Sequence, residues 1–247
     1  GLSGYQSPTQ LVAGFRQPFE PNKFTEHGTA MEPLTDAFTK EWIANWDVKS
    51  AARAGVDAET LRSWQTQVTT KTPGYLTLDE RVSHPYFDTE RDSRWFGASL
   101  DSEGSVIDCE YKNPWDLSSM FRNYYKIIDP AYFAQMQWIM AMRQRTSMLF
   151  VATSYSRDTQ PPVLLGCVIW HVRFNEEFFR KAIYPLAVLA AGSIYGSLPV
   201  CIPHTNKDHK FRDSGAHAQL MSQSATKIYF YKKRDTSDEE LRLLHSQ

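Results

Sequence analysis

The stretch Cys109-Glu110-Tyr111-Lys112-Asn113-Pro114 decides the fold, together with a strand-like run, Trp95 to Leu100, that ends immediately before Asp101. Side chains alternate along a strand, so Glu110 and Lys112 share one face of the predicted sheet. A hairpin between the two runs would bring Asp101 beside Glu110. Two carboxylates and one ammonium would then converge at a single point.

The trio Asp101, Glu110 and Lys112 has two interpretations. Carboxylates are hard oxygen ligands that suit magnesium or manganese rather than zinc. Metal-assisted hydrolysis of a phosphodiester needs such ligands, and a lysine can position the water or stabilise the phosphate. The Tyr111 carbonyl is a candidate extra ligand. The alternative is a surface ion pair between Glu110 and Lys112, and spacing alone leaves both interpretations open.

Outward from these runs, hydrophobic periodicity predicts further helices and strands. The predicted helices are Leu34 to Trp46, Asp57 to about Val68, Pro114 to Lys126, Pro130 to Gln144 and Glu176 to Tyr195. The other predicted strands are Tyr75 to Leu78, Ser105 to Tyr111, Met148 to Tyr155 and Val163 to Phe174. Strands that have helices before and after them in the sequence indicate a mixed α/β layer structure.

Composition supports an ordered chain: 247 residues, 42% hydrophobic and 13% aromatic, which predicts one domain. The longest apolar stretch, Ala182 to Gly196, is interrupted and shorter than a membrane span, and the N-terminus lacks signal-peptide features. We therefore expect an intracellular protein without a membrane segment. Cys109, Cys167 and Cys201 are expected to be reduced and buried.

The formal net charge of −1 predicts no general attraction to a polyanion, so a nucleic-acid function would need its cations clustered on one face. Five arginines are candidates for tracking phosphates, and Trp115 for stacking on a base or wedging a duplex end. The alternatives are surface cations and a core aromatic. The five arginines are Arg143, Arg145, Arg157, Arg173 and Arg180. His84 is a candidate base or, alternatively, a structural histidine.

Three ordered motifs carry a resemblance to a known family: Phe96-Gly97-Ala98-Ser99-Leu100-Asp101, Cys109-Glu110-Tyr111-Lys112-Asn113-Pro114, and Ala131-Tyr132-Phe133-Ala134-Gln135-Met136-Gln137. The chain resembles the lambda-type exonucleases, or YqaJ-like viral recombinases, and the first motif is also similar to the herpesvirus alkaline nucleases. The resemblance implies a PD-(D/E)xK, restriction-endonuclease-like α/β core with a mixed central sheet flanked by helices. It implies a nuclease domain over 1–198, with an insertion at about 40–73, and a C-terminal extension over 199–247.

The resemblance also implies two magnesium ions, for which manganese can substitute. Asp101, Glu110, the Tyr111 carbonyl and Glu32 would bind them, and Lys112 would serve the water. Glu32 is selected because Gly28-Thr29-Ala30-Met31-Glu32-Pro33 is similar to a family motif in which a glycine and a short gap precede a metal-site glutamate. Its local alternative is a capping box begun by Thr29, which Pro33 weakens.

Two further positions are implied to bind substrate phosphate, Ser99 and Gln135. Gln135 and Gln137 are about 200° apart on a helix, so only one of them can face the site. The alternative for Ser99 and Gln135 is ordinary packing with hydrogen bonds. The family's N-terminal arginine and serine, which grip a 5′ phosphate, have no match in this sequence, and this leaves the 5′-end preference open.

The family function is digestion of one strand from the end of duplex DNA, for recombination or viral genome processing. The implied partners are DNA ends, a single-strand annealing protein and copies of the chain in a homotrimer, although the alkaline nucleases favour a monomer. A viral source would place the protein in the host cytoplasm or nucleus. The alternatives are an endonuclease or RNA-cleaving nuclease of the same fold, and a catalytically silent DNA-binding protein.

The composition changes after Pro199, where histidines and lysines precede Tyr229-Phe230-Tyr231-Lys232-Lys233-Arg234. One interpretation is a solvated tail with a single late strand. The other is a basic and aromatic contact for nucleic acid.

Overall fold

The centre of the molecule is a four-stranded mixed sheet built on two long apolar strands. The computed structural model describes residues 21–66, 75–195 and 222–233. The strands are β3 (Asp108–Lys112), β4 (Ser147–Tyr155), β5 (Leu164–Arg173) and β6 (Ala225–Lys232), in the order β3-β4-β5-β6. β3 runs parallel to β4, and the other neighbours are antiparallel. Nearly every residue of β4 and β5 is buried, as their β-branched and aromatic composition predicts.

A separate two-stranded sheet lies ahead of β3 in the chain. It consists of β1 (Tyr75–Thr77) and β2 (Gly97–Ser99), which pair antiparallel. The strand preceding Asp101 therefore pairs with β1 rather than with β3.

Helices cover both faces of the central sheet. Before it come α1 (Lys23–Asn45), α2 (Val48–Arg53), α3 (Ala58–Thr66) and α4 (Thr89–Asp92). After β3 come α5 (Leu117–Met120), which continues into a π-helical turn at Phe121–Tyr125, and α6 (Pro130–Arg143). After β5 come α7 (Glu176–Phe178), a second π-helical turn at Phe179–Ile183, and α8 (Tyr184–Tyr195).

Each face has its own hydrophobic core. On one face Phe133, Met136 and Met140 of α6 pack with Phe150 and Val168 of the sheet. On the other face Ile43, Leu61 and Trp64 of α1 and α3 pack with Leu149 and Ile169. Full burial of such a side chain stabilises the fold by roughly 1.5–3 kcal/mol. The predicted fold class, a mixed sheet flanked by helices, is confirmed.

The first helix begins earlier than predicted, at Lys23 instead of Leu34. Asn22 caps it, and Asn22 and Thr25 form a capping box in which each side chain accepts the other's backbone N–H. Pro33 lies inside this helix instead of marking its start. In the described part of the expected insertion at 40–73, α1 ends and α2 and α3 follow.

Residues 225–232 of the expected C-terminal extension form β6, whose register with β5 runs from Gly166↔Lys232 to Val172↔Ala225. The late strand thus belongs to the central sheet. Cys109 and Cys167 are buried and free, as expected, whereas Cys201 lies outside the described residues. None of the helices in the described ranges combines the length and hydrophobicity that a membrane crossing requires.

Candidate active site

Asp101 reaches β3 along the open edge of the central sheet. Ser102 and Cys109 exchange both backbone hydrogen bonds, at 3.2 and 3.0 Å, in a single antiparallel bridge. One residue before that bridge, the Asp101 carboxylate accepts the Tyr111 backbone N–H at 2.7 Å. The predicted approach of Asp101 to Glu110 is therefore present, although one bridge and one side-chain bond replace a continuous hairpin.

The same edge presents the Tyr111 carbonyl. Along a strand, backbone groups two residues apart point to the same edge, and Cys109 bonds outward to Ser102. Tyr111 therefore also faces outward, with its N–H on Asp101. Its carbonyl, the predicted extra ligand, shares the edge on which the Asp101 carboxylate lies.

Lys112 lies between the two carboxylates. Its ammonium forms a short ion pair with Glu110 Oε1 and stands 3.7 Å from Asp101 Oδ2. The Glu110 side chain is 0% exposed, whereas Asp101 and Lys112 retain about a fifth of their side-chain exposure, at 23% and 21%. The trio thus runs from a buried carboxylate to solvent, which does not match the alternative of an exposed surface pair.

Burial dominates the electrostatics of the trio. It raises the pKa of Glu110 to about 7, although the Lys112 charge pulls in the opposite direction. Burial pulls the pKa of Lys112 down, but the charges of Glu110 and Asp101 outweigh it, and the pKa is raised. Among the described residues, Glu110 Oε2 has no hydrogen-bond partner, which is costly for a buried oxygen.

Glu32 lies within α1, well beyond the capped first turn, so the capping-box alternative for this residue is wrong. Burial and the Asp101 charge raise the pKa of Glu32, whereas the Lys112 charge lowers it, so the charges of the trio act on this carboxyl group. The helix is fixed against β3 by Asp36, one turn after Glu32, which accepts the Tyr111 hydroxyl and the Ser102 hydroxyl, each at 2.9 Å. Asp36 therefore helps to set the position of Glu32.

The two glutamines of α6 have different partners. The Gln135 amide donates to Glu110 Oε1 at 3.0 Å. Gln137 is buried on the opposite side, where it donates to the Arg173 carbonyl at 2.9 Å and accepts the Asn175 N–H at 2.7 Å. Gln135 is thus the glutamine placed at the trio, and its predicted contact with substrate phosphate stays a prediction.

A cavity of about 450 Å³ opens beside Gln135, and Ser99 lines it together with Trp138 and residues of α8. Ser99 is exposed at the end of β2. The two residues predicted to bind phosphate therefore face one space. Phosphate binding by Ser99 and Gln135 stays a prediction.

Sequence reasoning missed two residues of the site. The Tyr132 ring lies under the Lys112 ammonium, with 4.7 Å between nitrogen and ring centroid. Asp36 holds Tyr111 and Ser102 and pairs with Lys40 at 2.6 Å. Sequence features could have identified both residues. Tyr132 belongs to the third quoted motif, and Asp36 follows Glu32 at the i+4 helical spacing. His84 contacts the Met142 carbonyl at 3.3 Å, in keeping with its structural alternative.

The donor set fits a hard divalent cation. In the described part of the chain, no three histidine, cysteine, aspartate or glutamate side chains gather closely enough to hold a metal by themselves. Asp101 and Glu110 nevertheless converge on one ammonium, and Glu110 Oε2 is a buried acceptor with no partner there. Carboxylate and carbonyl oxygens of this kind are the ligands that magnesium and manganese prefer.

No protein-family model matches the sequence. No curated protein matches it either. Among solved structures, the chain is similar to an alkaline exonuclease, LHK-Exo, from Laribacter hongkongensis, at 17% identity and a TM-score of 0.42, over 76% of this chain and 73% of that chain. The complex of LHK-Exo with dAMP gives 16% identity and a TM-score of 0.41 over the same shares. At this level of similarity, neither structure assigns an activity to this chain.

Proposed function

We propose that the protein is a metal-dependent deoxyribonuclease that hydrolyses DNA phosphodiesters with two magnesium ions. One observation supports this most strongly: a buried, partly unsatisfied carboxylate, Glu110, lies with Asp101 around the Lys112 ammonium at the open edge of the sheet. Buried acids whose pKa is raised by desolvation and a specific charge are typical of functional sites.

The residue roles follow from positions at that edge. Asp101, Glu110, the Tyr111 carbonyl and Glu32 would hold the ions. Magnesium held there would neutralise phosphate charge and lower the pKa of the attacking water. Lys112, a compact point charge, would orient that water or stabilise the phosphate once the carboxylates have another cation to neutralise them.

The finer proposal is an exonuclease that resects one strand from a duplex end. Ser99 and Gln135 would hold the terminal phosphate in the cavity that both line. The single strand produced would serve an annealing protein in recombination or viral genome processing, and a homotrimer would enclose the duplex. The three motifs quoted above support these assignments by resemblance.

The test is incubation of the protein with linear 5′-phosphorylated duplex, linear 5′-hydroxyl duplex and closed circular DNA, with and without magnesium. We expect loss of the linear forms only, in magnesium or manganese. Asp101→Ala and Lys112→Ala should abolish it. Asp79→Ala is the matched control, since this carboxylate pairs with exposed Arg81 outside the trio and its loss should leave cleavage unchanged.

Each other outcome selects an alternative. Cleavage that survives Asp101→Ala and Glu110→Ala would refute the site. Degradation of circular DNA or of RNA would indicate an endonuclease or an RNA-cleaving enzyme of the same fold. DNA binding without magnesium-dependent release of nucleotides would identify a catalytically silent binding protein.

A further inference from the structure

A second group of side chains, outside the trio, surrounds Trp115. The indole contacts Phe24 edge-on at 5.4 Å and His27 at 5.1 Å between ring centroids. Two cations lie over it, the Arg157 guanidinium at 4.8 Å and the Lys23 ammonium at 5.7 Å from the ring centroid. We call these five residues the Trp115 patch.

The two cations of the patch are exposed and have no carboxylate partner among the described residues. Lys23 and Arg157 are exposed, and Phe24 is 55% exposed. Within the described ranges, neither cation forms an ion pair with a carboxylate, so the two charges on the indole are not neutralised by a neighbour. A guanidinium that lies over an aromatic ring can still donate N–H groups to a phosphate.

Arg157 differs in this respect from the other four arginines considered above. Arg143 and Arg145 bind the buried Asp108, at 3.2 and 3.3 Å. Arg180 pairs with Glu176 at 2.7 Å. Arg173 donates to the Gln223 carbonyl at 3.0 Å. Of the five arginines that could track phosphates, Arg157 therefore contacts an aromatic ring and has no carboxylate or carbonyl partner in the described part of the chain.

The patch lies close to the trio. Trp115 follows Lys112 by three residues, and the Asn113 amide donates to the Gly28 carbonyl of α1 at 3.3 Å. Along α1, His27 and Lys23 precede Glu32 by five and nine residues, which corresponds to roughly 7–14 Å of helix axis. A DNA strand that crosses this part of α1 would therefore reach Glu32 within a few nucleotides.

We propose that the Trp115 patch binds the DNA strand that leads to the active site, with a base stacked on Trp115 and neighbouring phosphates on Arg157 and Lys23. The substrate class rests on the proposed nuclease function. An aromatic platform flanked by exposed cations is complementary to a single strand, which offers a π-face and a negative charge at each nucleotide. The cations that cover the indole in the free protein move to the phosphates and leave a face for the base.

The experiment measures the Kd of the full chain for a short fluorescent single-stranded oligonucleotide by anisotropy, in EDTA so that cleavage is blocked. Trp115→Ala should weaken binding roughly tenfold, the range expected for loss of one stacked base. Trp115→Phe should retain most of the affinity. Arg157→Gln should lower the salt dependence of the affinity by about 0.7 of a logarithmic unit per logarithmic unit of salt.

Arg180→Gln is the matched control, because it removes a guanidinium–ring contact of 5.2 Å, with Tyr86, away from the patch. It should leave the Kd unchanged. Inorganic polyphosphate serves as a probe without bases, and Trp115→Ala should not weaken its binding. Thermal unfolding of each variant shows whether it is folded, and Arg157→Gln at an exposed position keeps the test valid if Trp115→Ala unfolds.

Wild-type affinity in both Trp115→Ala and Arg157→Gln would overturn the proposal, as would an equal loss of oligonucleotide and polyphosphate binding in Trp115→Ala. The nuclease proposal fails separately. If the wild type releases no nucleotides with magnesium while Trp115→Ala still loses affinity, the patch stands and the catalytic assignment does not. If magnesium-dependent cleavage requires Asp101 while the patch variants bind DNA normally, the catalytic assignment stands and the patch proposal fails.

Discussion

Asp108 and Glu110 are two carboxylates on the same strand and the same face, and their surroundings differ. Both side chains are 0% exposed, and α6 supplies a partner to each. Asp108 accepts the Gly104 N–H at 3.1 Å and pairs with Arg143 and Arg145. Glu110 accepts Lys112 and Gln135 on Oε1, while Oε2 has no partner in the described part of the chain.

The difference separates a carboxylate with partners on both oxygens from one with partners on a single oxygen, among the described residues. Asp108 ties the loop after Asp101 to the end of α6, and both of its oxygens are occupied. Burial raises the pKa of Glu110 to about 7 although the Lys112 charge lowers it. Strand alternation treats the two positions alike, so only the partners distinguish their roles.

The largest effect expected from this comparison is the loss of stability in Asp108→Asn. The substitution leaves Arg145 without its carboxylate partner and leaves Arg143 with only the more exposed Glu103. Breaking a buried ion pair in this way costs about 3–5 kcal/mol. Urea denaturation should show this loss of unfolding free energy with an unchanged m-value. Folded Asp108→Asn should still cleave DNA.

Glu103→Gln is the control for that measurement. Glu103 also pairs with Arg143, at 2.6 Å, but it is 28% exposed. Its loss should cost less than about 1 kcal/mol, as is usual for ion pairs that water reaches. Equal losses in the two variants would mean that Asp108 is not the structural anchor.

Glu110→Gln, in contrast to Asp108→Asn, should increase the free energy of unfolding at high pH. Because burial raises the pKa of Glu110 to about 7, the contribution of this group to stability is full below its ordinary pKa and is lost as the pH rises through 7. The uncharged variant should therefore match the wild type near pH 4.5 and exceed it at pH 8, by about 1–3 kcal/mol. Denaturation in a chelator across this pH range measures the difference.

The same variant should lose nuclease activity, so stability and activity move in opposite directions. Glu59→Gln, on the exposed first turn of α3, is a control that should show neither effect. A less stable Glu110→Gln at pH 8 would show that the Lys112 pair more than offsets the burial of Glu110. The comparison with Asp108 would then lose its basis.

Much of the fold was predictable because its central elements carry strong local signals. β4, β5 and α6 differ from their predicted bounds by only a residue or so, since long buried strands and a Pro-started helix are legible in sequence. The start of α1 was not predictable, because Pro33 resembles a helix start and the cap formed by Asn22 and Thr25 lies further upstream. The place of β6 depends on pairing with β5 across a long sequence separation, which no local pattern records.

For the candidate site, the sequence predicted which side chains share a face but not the contacts that they form. Alternation placed Glu110 and Lys112 on one face, and helical rotation separated Gln135 from Gln137. The bond from the Tyr111 N–H to Asp101 and the unsatisfied Glu110 oxygen depend on three-dimensional contacts, so no spacing predicts them. Asp108 went unnoticed for the same reason, because its importance lies in two arginines more than thirty residues away.

The smallest effect is the coupling between the two carboxylates. They are about 7 Å apart along the strand by its rise, and within the described ranges they share no hydrogen-bond or ion-pair partner. The double variant Asp108→Asn/Glu110→Gln should therefore equal the sum of the single changes within about 0.5 kcal/mol at pH 8. Urea denaturation of the four proteins in one buffer measures this term. Coupling above about 1 kcal/mol would mean that α6, which contacts both, moves when either charge is removed, and that Asp108 and Glu110 act as one unit.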